Sequence, residues 1–222
     1  MRIALILVEG RHDAEFMKKL LAAYGAEAQE VDLSRIYDFV RLASTTASEV
    51  ETAITTYAQR GGLGRACRAV AALTKYVTRS RDLRWIELDT AIVSDENRSR
   101  NRAMKIFSNA LSNELPTDQY LINTIEESRY LIAYVVENRR LHTRAVLTMA
   151  LIECSLECQI AKHALGDHGS FCNPPQCSEI VKKCRNSIED LIDKLIQSLM
   201  RCEEEWFRSL IRALKYVGVL RL

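Results

Sequence analysis

Residues 3–21 read Ile3-Ala-Leu-Ile-Leu-Val-Glu-Gly-Arg-His-Asp-Ala-Glu-Phe-Met-Lys-Lys-Leu-Leu21. The first six residues are an unbroken apolar run, with the length and composition of a β-strand covered on both faces, as in a parallel sheet. The run stops at Glu9-Gly10. From Asp13 the apolar residues change period: Phe16, Met17, Leu20, Leu21 and Tyr24 recur every three or four positions, and Gly25 closes the series. That spacing predicts a helix. Strand, short polar loop and helix together set the expectation of an α/β fold.

The unit recurs further on. Trp85 to Val93 is most apolar at Ala91-Ile92-Val93 and runs into Ser94-Asp95-Glu96-Asn97, after which Ala103, Ile106, Phe107, Ala110 and Leu111 mark one face of a second helix. Strands near Ile3–Val8 and Ala91–Val93 are expected to be parallel and neighbouring or nearly so, with Glu9 and Asp95 at one sheet edge. Open α/β sheets bind ligands beyond the carboxyl ends of their strands. Carboxylate oxygens there suit a hard cation such as Mg²⁺, and a helix N-terminus favours phosphate. Gly10 would let a phosphate approach the backbone, with Arg11 and His12 as further phosphate contacts.

Two stretches carry a family resemblance. Leu7-Val-Glu-Gly-Arg-His-Asp-Ala-Glu-Phe-Met-Lys-Lys-Leu-Leu21 resembles the opening motif of the topoisomerase-primase (Toprim) domain family, in which a strand ends in Glu-Gly, a polar loop with an Asp follows, and an amphipathic helix begins. Ile92-Val-Ser-Asp-Glu-Asn-Arg-Ser-Arg100 resembles the later strand of that family ending in Asp-x-Asp, with Asp95 at the first acid position and Asn97 at the second. The resemblance covers roughly residues 1–115 and is nearest in character to an archaeal-type branch. It implies a compact Rossmann-like parallel sheet and a Mg²⁺-dependent, or Mn²⁺-dependent, nuclease or nucleotidyl transferase acting on DNA or RNA phosphodiesters. It also implies that Glu9 is a general acid or base and that Asp95, helped by Asn97, holds the metal. Asn97 departs from the motif, because a neutral amide offers one oxygen and no charge. Two other readings therefore stand beside the enzyme: a degenerate Toprim-like module that binds nucleic acid or a nucleotide without catalysis, and a dimeric helical scaffold.

Gln29 to Leu42 suggests a second short strand before a helix or loop, while Glu49–Gln59 and Arg65–Thr78 both have helix-like composition, separated by Gly61-Gly62-Leu63-Gly64. No Gly-Lys-Ser/Thr follows those glycines, so they are not a P-loop. Tyr120–Ile125 and Tyr130–Val136 suggest a hairpin at the sheet edge. From Leu141 the pattern is read as helical. Ser178 to Val217 has neither Gly nor Pro, and Ile180, Cys184, Ile188, Leu191, Leu195, Leu199, Trp206, Leu210 and Leu214 continue one stripe, which predicts one very long helix or two end to end. The expected division is a Toprim-like α/β domain over 1–137 and a mainly helical extension over 138–222, whose stripe serves either the chain's own core or a homodimer.

A net charge of +2 gives no general reason to expect nucleic acid. Local charge does: seven Lys or Arg and one acid lie between Arg60 and Arg84, and Arg98, Arg100, Arg102 and Lys105 follow Asp95. Arg98, the first of these, is a further expected phosphate contact, and a basic rim beside a metal site suits a polynucleotide. No apolar run reaches the ~18 residues of a membrane span, so no membrane is expected and the cytoplasm is the expected location. Among seven Cys, Cys154 and Cys158 could face Cys172 and Cys177 across a helix hairpin, with His163 and His168 between the pairs. Buried thiols, disulfides and a metal site all remain open. The spacing lacks the tight Cys-x-x-Cys knuckle, so structural Zn²⁺ is not expected.

Overall fold

A computed structural model describes residues 1–43, 45, 50–58, 62–83, 85–95, 100–166, 173–184 and 187–220. Seven strands, β1 (Arg2–Val8), β2 (Gln29–Glu30), β3 (Val50–Thr56), β4 (Glu87–Asp95), β5 (Tyr120–Glu127), β6 (Leu131–Asn138) and β7 (Arg144–Ile152), form one sheet in the order β2-β3-β1-β4-β7-β6-β5. The pairs from β2 to β7 are parallel, and β7-β6 and β6-β5 are antiparallel. The fold is thus α/β with a mixed, mostly parallel sheet. β1 and β4 are parallel neighbours with Leu7 opposite Ile92, and the hairpin of β5 and β6 closes one side.

The apolar run of β1 is explained by its place. Ile3 to Val8 are fully buried, with β3 on one side, β4 on the other and helices above and below. Helix α1 (Arg11–Ala23) buries Ala14, Phe16, Met17, Leu20 and Leu21, the predicted face. Helices α2 (Ile36–Ala43), α3 (Gly62–Arg79) and α4 (Arg100–Glu114) complete the first part of the chain, and α3 packs on α4. α5 (Leu156–Ala164), α6 (Pro174–Lys183), α7 (Ile188–Leu199) and α8 (Glu205–Tyr216) form the helical C-terminal region.

Three expectations are corrected. Residues 50–56 form strand β3, not helix. The segment after Leu141 contains β7, whose residues from Ala145 to Ile152 are all buried. A strand covered on both faces shows no alternation, so periodicity alone does not separate it from a buried helix. β7 pairs with β4 on one side and with β6 on the other. Third, the span Ser178–Val217 is broken into three helices without Gly or Pro. Cys184 leaves helical geometry with ψ 141°, Ser187 caps α7 by accepting the Asp190 N–H at 3.1 Å, and Glu204 is extended before α8.

The apolar stripe on these helices serves the chain's own core. Leu191, Leu195, Leu199, Trp206, Leu210 and Leu214 are each at most 1% exposed. α7 lies against α1 and α5, and α8 lies against β6 and β7. Among the described residues no helix is long and apolar enough to cross a membrane.

Candidate functional site

The sheet has one place where its connections diverge. From β1 the chain moves outward to β3 and β2, whereas from β4 it moves the other way to β5, β6 and β7. The loops after β1 and β4 therefore part company, which leaves the crevice where open α/β sheets receive ligands. Glu9 immediately follows β1, and Asp95 is the last residue of β4. Backbone pairing continues past β1, where Ala58 N–H donates to the Glu9 carbonyl at 2.9 Å, so the main chain holding Glu9 is fixed.

Two further acids arrive from helix starts. Asp13, in the first turn of α1, accepts the Gly10 N–H at 2.9 Å. Glu157 belongs to the first turn of α5, which β7 delivers beside Asp95: Asp95 pairs with Ile152, Cys154 turns the chain with φ 62°, and Ser155 caps the helix by accepting the Cys158 N–H at 3.3 Å. The turn is braced by Gln159 Nε2 on the Glu153 carbonyl at 2.6 Å and by the Tyr130 hydroxyl on Glu153 Oε1 at 2.8 Å. Three strand ends and two helix starts thus bring Glu9, Asp13, Asp95 and Glu157 into one electrostatic neighbourhood.

Their mutual repulsion is visible in the acidities. Burial, then the charges of Asp13, Glu9 and Glu157, push Asp95 up to about 9, against the one N–H of Leu156 that lowers it. Burial raises Asp13 to about 7; the Gly10 N–H opposes this, and Glu157 and Glu9 add to it. Fully buried Tyr57, which donates to the Val93 carbonyl at 3.3 Å, is also raised, first by burial and further by Glu9, Asp13 and Asp95. Among the described residues no three His, Cys, Asp or Glu form a ready-made metal shell. The acids are electrostatic neighbours rather than a closed coordination sphere.

No protein-family model, curated protein or solved structure matches this chain.

Of the residues singled out from sequence, Glu9, Gly10, Arg11, His12 and Asp95 come to this edge. Asn97 and Arg98, like the nearby Glu96, lie outside the described residues, as do Cys172 and His168. Gly10 is extended, at φ −134°, and an added Cβ would make only ordinary contact, 3.4 Å from Asp13 Oδ2. The Asp13 carboxylate already takes the N–H that a phosphate would use there. Arg11 is exposed, and His12 Nδ1 lies 3.9 Å from Glu157 Oε1. Cys154 is disulfide-bonded, whereas Cys158 and Cys177 are buried thiols packed with Ala161. His163 Nδ1 lies 3.2 Å from Ser198 Oγ and its Nε2 3.4 Å from Glu204 Oε1.

Sequence reading passed over Asp13 as a site residue, together with Tyr57 and Glu157. Asp13 reads as an ordinary helix-start acid, and Glu157 was hidden because the strand that delivers it looked helical. The order Ser155-Leu156-Glu157-Cys158, a capping Ser followed by an acid, was the available signal.

Proposed function

We propose that the acidic crevice at the ends of β1 and β4 binds a divalent hard cation, Mg²⁺ or Mn²⁺, and serves phosphodiester chemistry on nucleic acid in a Rossmann-like, Toprim-type arrangement. The observation that carries the reading is the convergence of four carboxylates at the switch point of the sheet, where burial first, and then the charges of Asp13, Glu9 and Glu157, raise Asp95 to about 9. Like charges gathered in a half-buried place are unfavourable unless a cation offsets them. The donor set is carboxylate oxygen throughout, which fits Mg²⁺ or Mn²⁺ and not the softer metals that Cys selects.

Glu9 and Asp95 would hold the cation, with Asp13 and Glu157 adding negative potential. A cation there supplies charge neutralisation for a phosphoryl oxygen. In hydrolysis a water oxygen forms the new bond to phosphorus, the bridging P–O bond breaks, and the departing oxygen takes up a proton. Glu9, on fixed backbone at the crevice, is the group assigned to hold or move that proton. Exposed Arg65, Arg68, Arg102 and Lys105 on α3 and α4 provide cationic surface for a polyanion.

A second reading, binding without catalysis, is favoured by two observations: the described acids do not form a closed shell, and Asn97 brings no charge. One experiment separates the two. Millimolar Mg²⁺ or Mn²⁺ is expected to raise the Tm of the wild type and to do so less in Glu9→Gln and Asp95→Asn, with turnover assayed on labelled DNA and RNA. Glu9→Gln is expected to cut turnover by ~10²–10⁴. A metal-dependent shift with no turnover on any substrate selects the binding module, and a wild type indifferent to both metals removes the cation site.

A further inference from the structure

At the opposite edge of the sheet a small pocket of about 180 Å³ is lined by Arg79, Arg81, Gln119, Asn138, Arg140 and Leu141. Three arginines and two residues with carboxamide side chains are among its lining, and no acidic residue is. Its volume is below the about 300–1,000 Å³ of clefts that enclose whole drug-sized ligands. It is sized for a chemical group.

The frame is built by hydrogen bonds between three separate segments. Thr143 Oγ1 donates to the Thr78 carbonyl at 2.7 Å, tying the turn between β6 and β7 to the end of α3. Arg139 N–H donates to the Gln119 carbonyl at 2.9 Å, tying the same turn to the start of β5. Buried Asn138 accepts the N–H groups of Arg140 and Leu141 at 3.0 and 3.1 Å through Oδ1, which leaves its Nδ2 amide as the unspent donor. The three arginines thus project from fixed backbone.

Ordinary surface chemistry accounts for part of this. Arg79, in the last turn of α3, complements the negative end of the helix dipole. Arg81 and Arg140 have no such role. Among the described residues none of the three is held in an ion pair, and the acids nearest in sequence to the lining residues, Asp82, Asp118 and Glu137, do not line the pocket; Glu137 Oε1 lies 3.4 Å from His142 Nδ1. Three like charges around a common space repel, and a multiply charged anion offsets that repulsion. Guanidinium forks match phosphate oxygens in pairs, and the carboxamides add neutral donors.

We propose that this pocket binds a phosphate monoester or inorganic phosphate as a dianion, on a site separate from the acidic crevice and independent of the function proposed for it. The test is calorimetric titration of the intact chain in EDTA, so that no divalent cation bridges phosphate to the acids. Inorganic phosphate and adenosine monophosphate are the probes, with chloride at matched ionic strength and adenosine as controls. Phosphate and the monophosphate are expected to bind, adenosine and chloride not. Arg81→Gln and Arg140→Gln are each expected to weaken binding about tenfold or more, while Arg140→Lys, which keeps the charge and loses the fork, should weaken it less than Arg140→Gln. Comparable affinity for both probes assigns the source to the phosphate group alone, and tighter binding of the monophosphate assigns it to a nucleotide. Heat from phosphate no greater than from chloride, or wild-type affinity in folded Arg81→Gln and Arg140→Gln proteins, overturns the proposal.

Discussion

The two edges of the sheet treat their charges in opposite ways. At the carboxyl edge, Asp95 faces three other acids and is lowered by one backbone N–H. At the amino edge, buried Asp89 accepts the Val146 N–H at 2.7 Å, and Arg2 Nε stands 3.2 Å from its Oδ2, close enough for an ion pair though outside hydrogen-bond alignment. Burial raises Asp89 to about 7, while the Val146 N–H and the charges of Arg2 and Arg144 pull it back. Both carboxylates are in β4, six residues apart. One is built into the fold with partners of opposite sign, where it stands in for ladder pairing at the start of β7. The other is placed where its own chain makes ionisation harder. The difference separates a structural buried charge from one whose environment favours an external counter-charge, a pattern typical of functional sites.

The most drastic way to break the comparison is to cut the chain at residue 137. Truncation removes β7, and with it Val146 from Asp89, Glu157 from the acidic edge and Arg140 from the basic pocket. The fragment would leave β4 unpaired on one side and the apolar faces of β6 and α3 uncovered. It is expected to lose cooperative unfolding and near-UV circular dichroism. A soluble fragment with a sharp thermal transition would show that the first 137 residues fold alone and that β7 is an addition.

That outcome bears on what the sequence made legible. β1 and β4 were readable because each is an apolar run ending abruptly in an acid, and the placement of Glu9 and Asp95 at one edge followed from parallel pairing. β3 was misread although Val50, Thr52, Ile54, Thr55 and Thr56 make five of its seven residues β-branched, a composition that favours strands. β7 offered less: Ala145, Leu147, Met149, Ala150 and Leu151 are good helix formers, and burial on both faces erased the alternation. Because Glu157 enters the site only through β7, that member of the acid group is not legible without tertiary pairing. The helix breaks had local signals in Ser187-Ile-Glu-Asp190 and in Glu203-Glu204-Glu205, which an unbroken apolar stripe masked.

A smaller perturbation sharpens the contrast in the acids themselves. At pH 7, keeping Asp95 protonated costs about 1.4 kcal/mol for each unit between its unfolded value near 3.9 and the ambient pH, about 4 kcal/mol as a ceiling. Asp95→Asn removes that cost and keeps an oxygen for the Leu156 N–H, so the cation-free protein is expected to become more stable by a few kcal/mol. The pH dependence has a definite sign. With Asp13 and Asp89 raised to about 7 and Asp95 to about 9, the folded state binds more protons than the unfolded one above pH ~4. Their combined contribution to stability therefore falls as pH rises from about 4 to 9. Urea unfolding in EDTA at pH 5, 7 and 9 measures the slope, which should be shallower in Asp95→Asn, and shallower in the wild type with Mg²⁺ present. A variant less stable than the wild type at pH 7 would contradict the unfavourable burial of Asp95 among acids.

The finest test concerns how firmly the amino edge holds its partner for Asp89. Gly218, just beyond α8, has φ +72°, and a Cβ added there would collide with Arg2 Nη1 and lie 2.7 Å from Arg2 Cδ. Gly25 has nearly the same backbone, φ +71°, with nothing within 4 Å of the added Cβ. Gly25→Ala therefore reports the left-handed backbone penalty alone, about 1 kcal/mol, whereas Gly218→Ala adds displacement of Arg2 from Asp89 and from Glu87, which it meets at 3.2 Å. The expected loss for Gly218→Ala is about 2–3 kcal/mol by urea unfolding at pH 7. Removing the obstructing side chain in Arg2→Ala should make the added Gly218→Ala loss approach that of Gly25→Ala, giving a coupling of about 1–2 kcal/mol between the two positions. Equal losses for the two glycine variants, with no coupling to Arg2, would mean that the guanidinium swings aside freely. In that case Asp89 would owe its place in β4 to the Val146 N–H rather than to a fixed ion pair, and the two edges would differ less than their charges suggest.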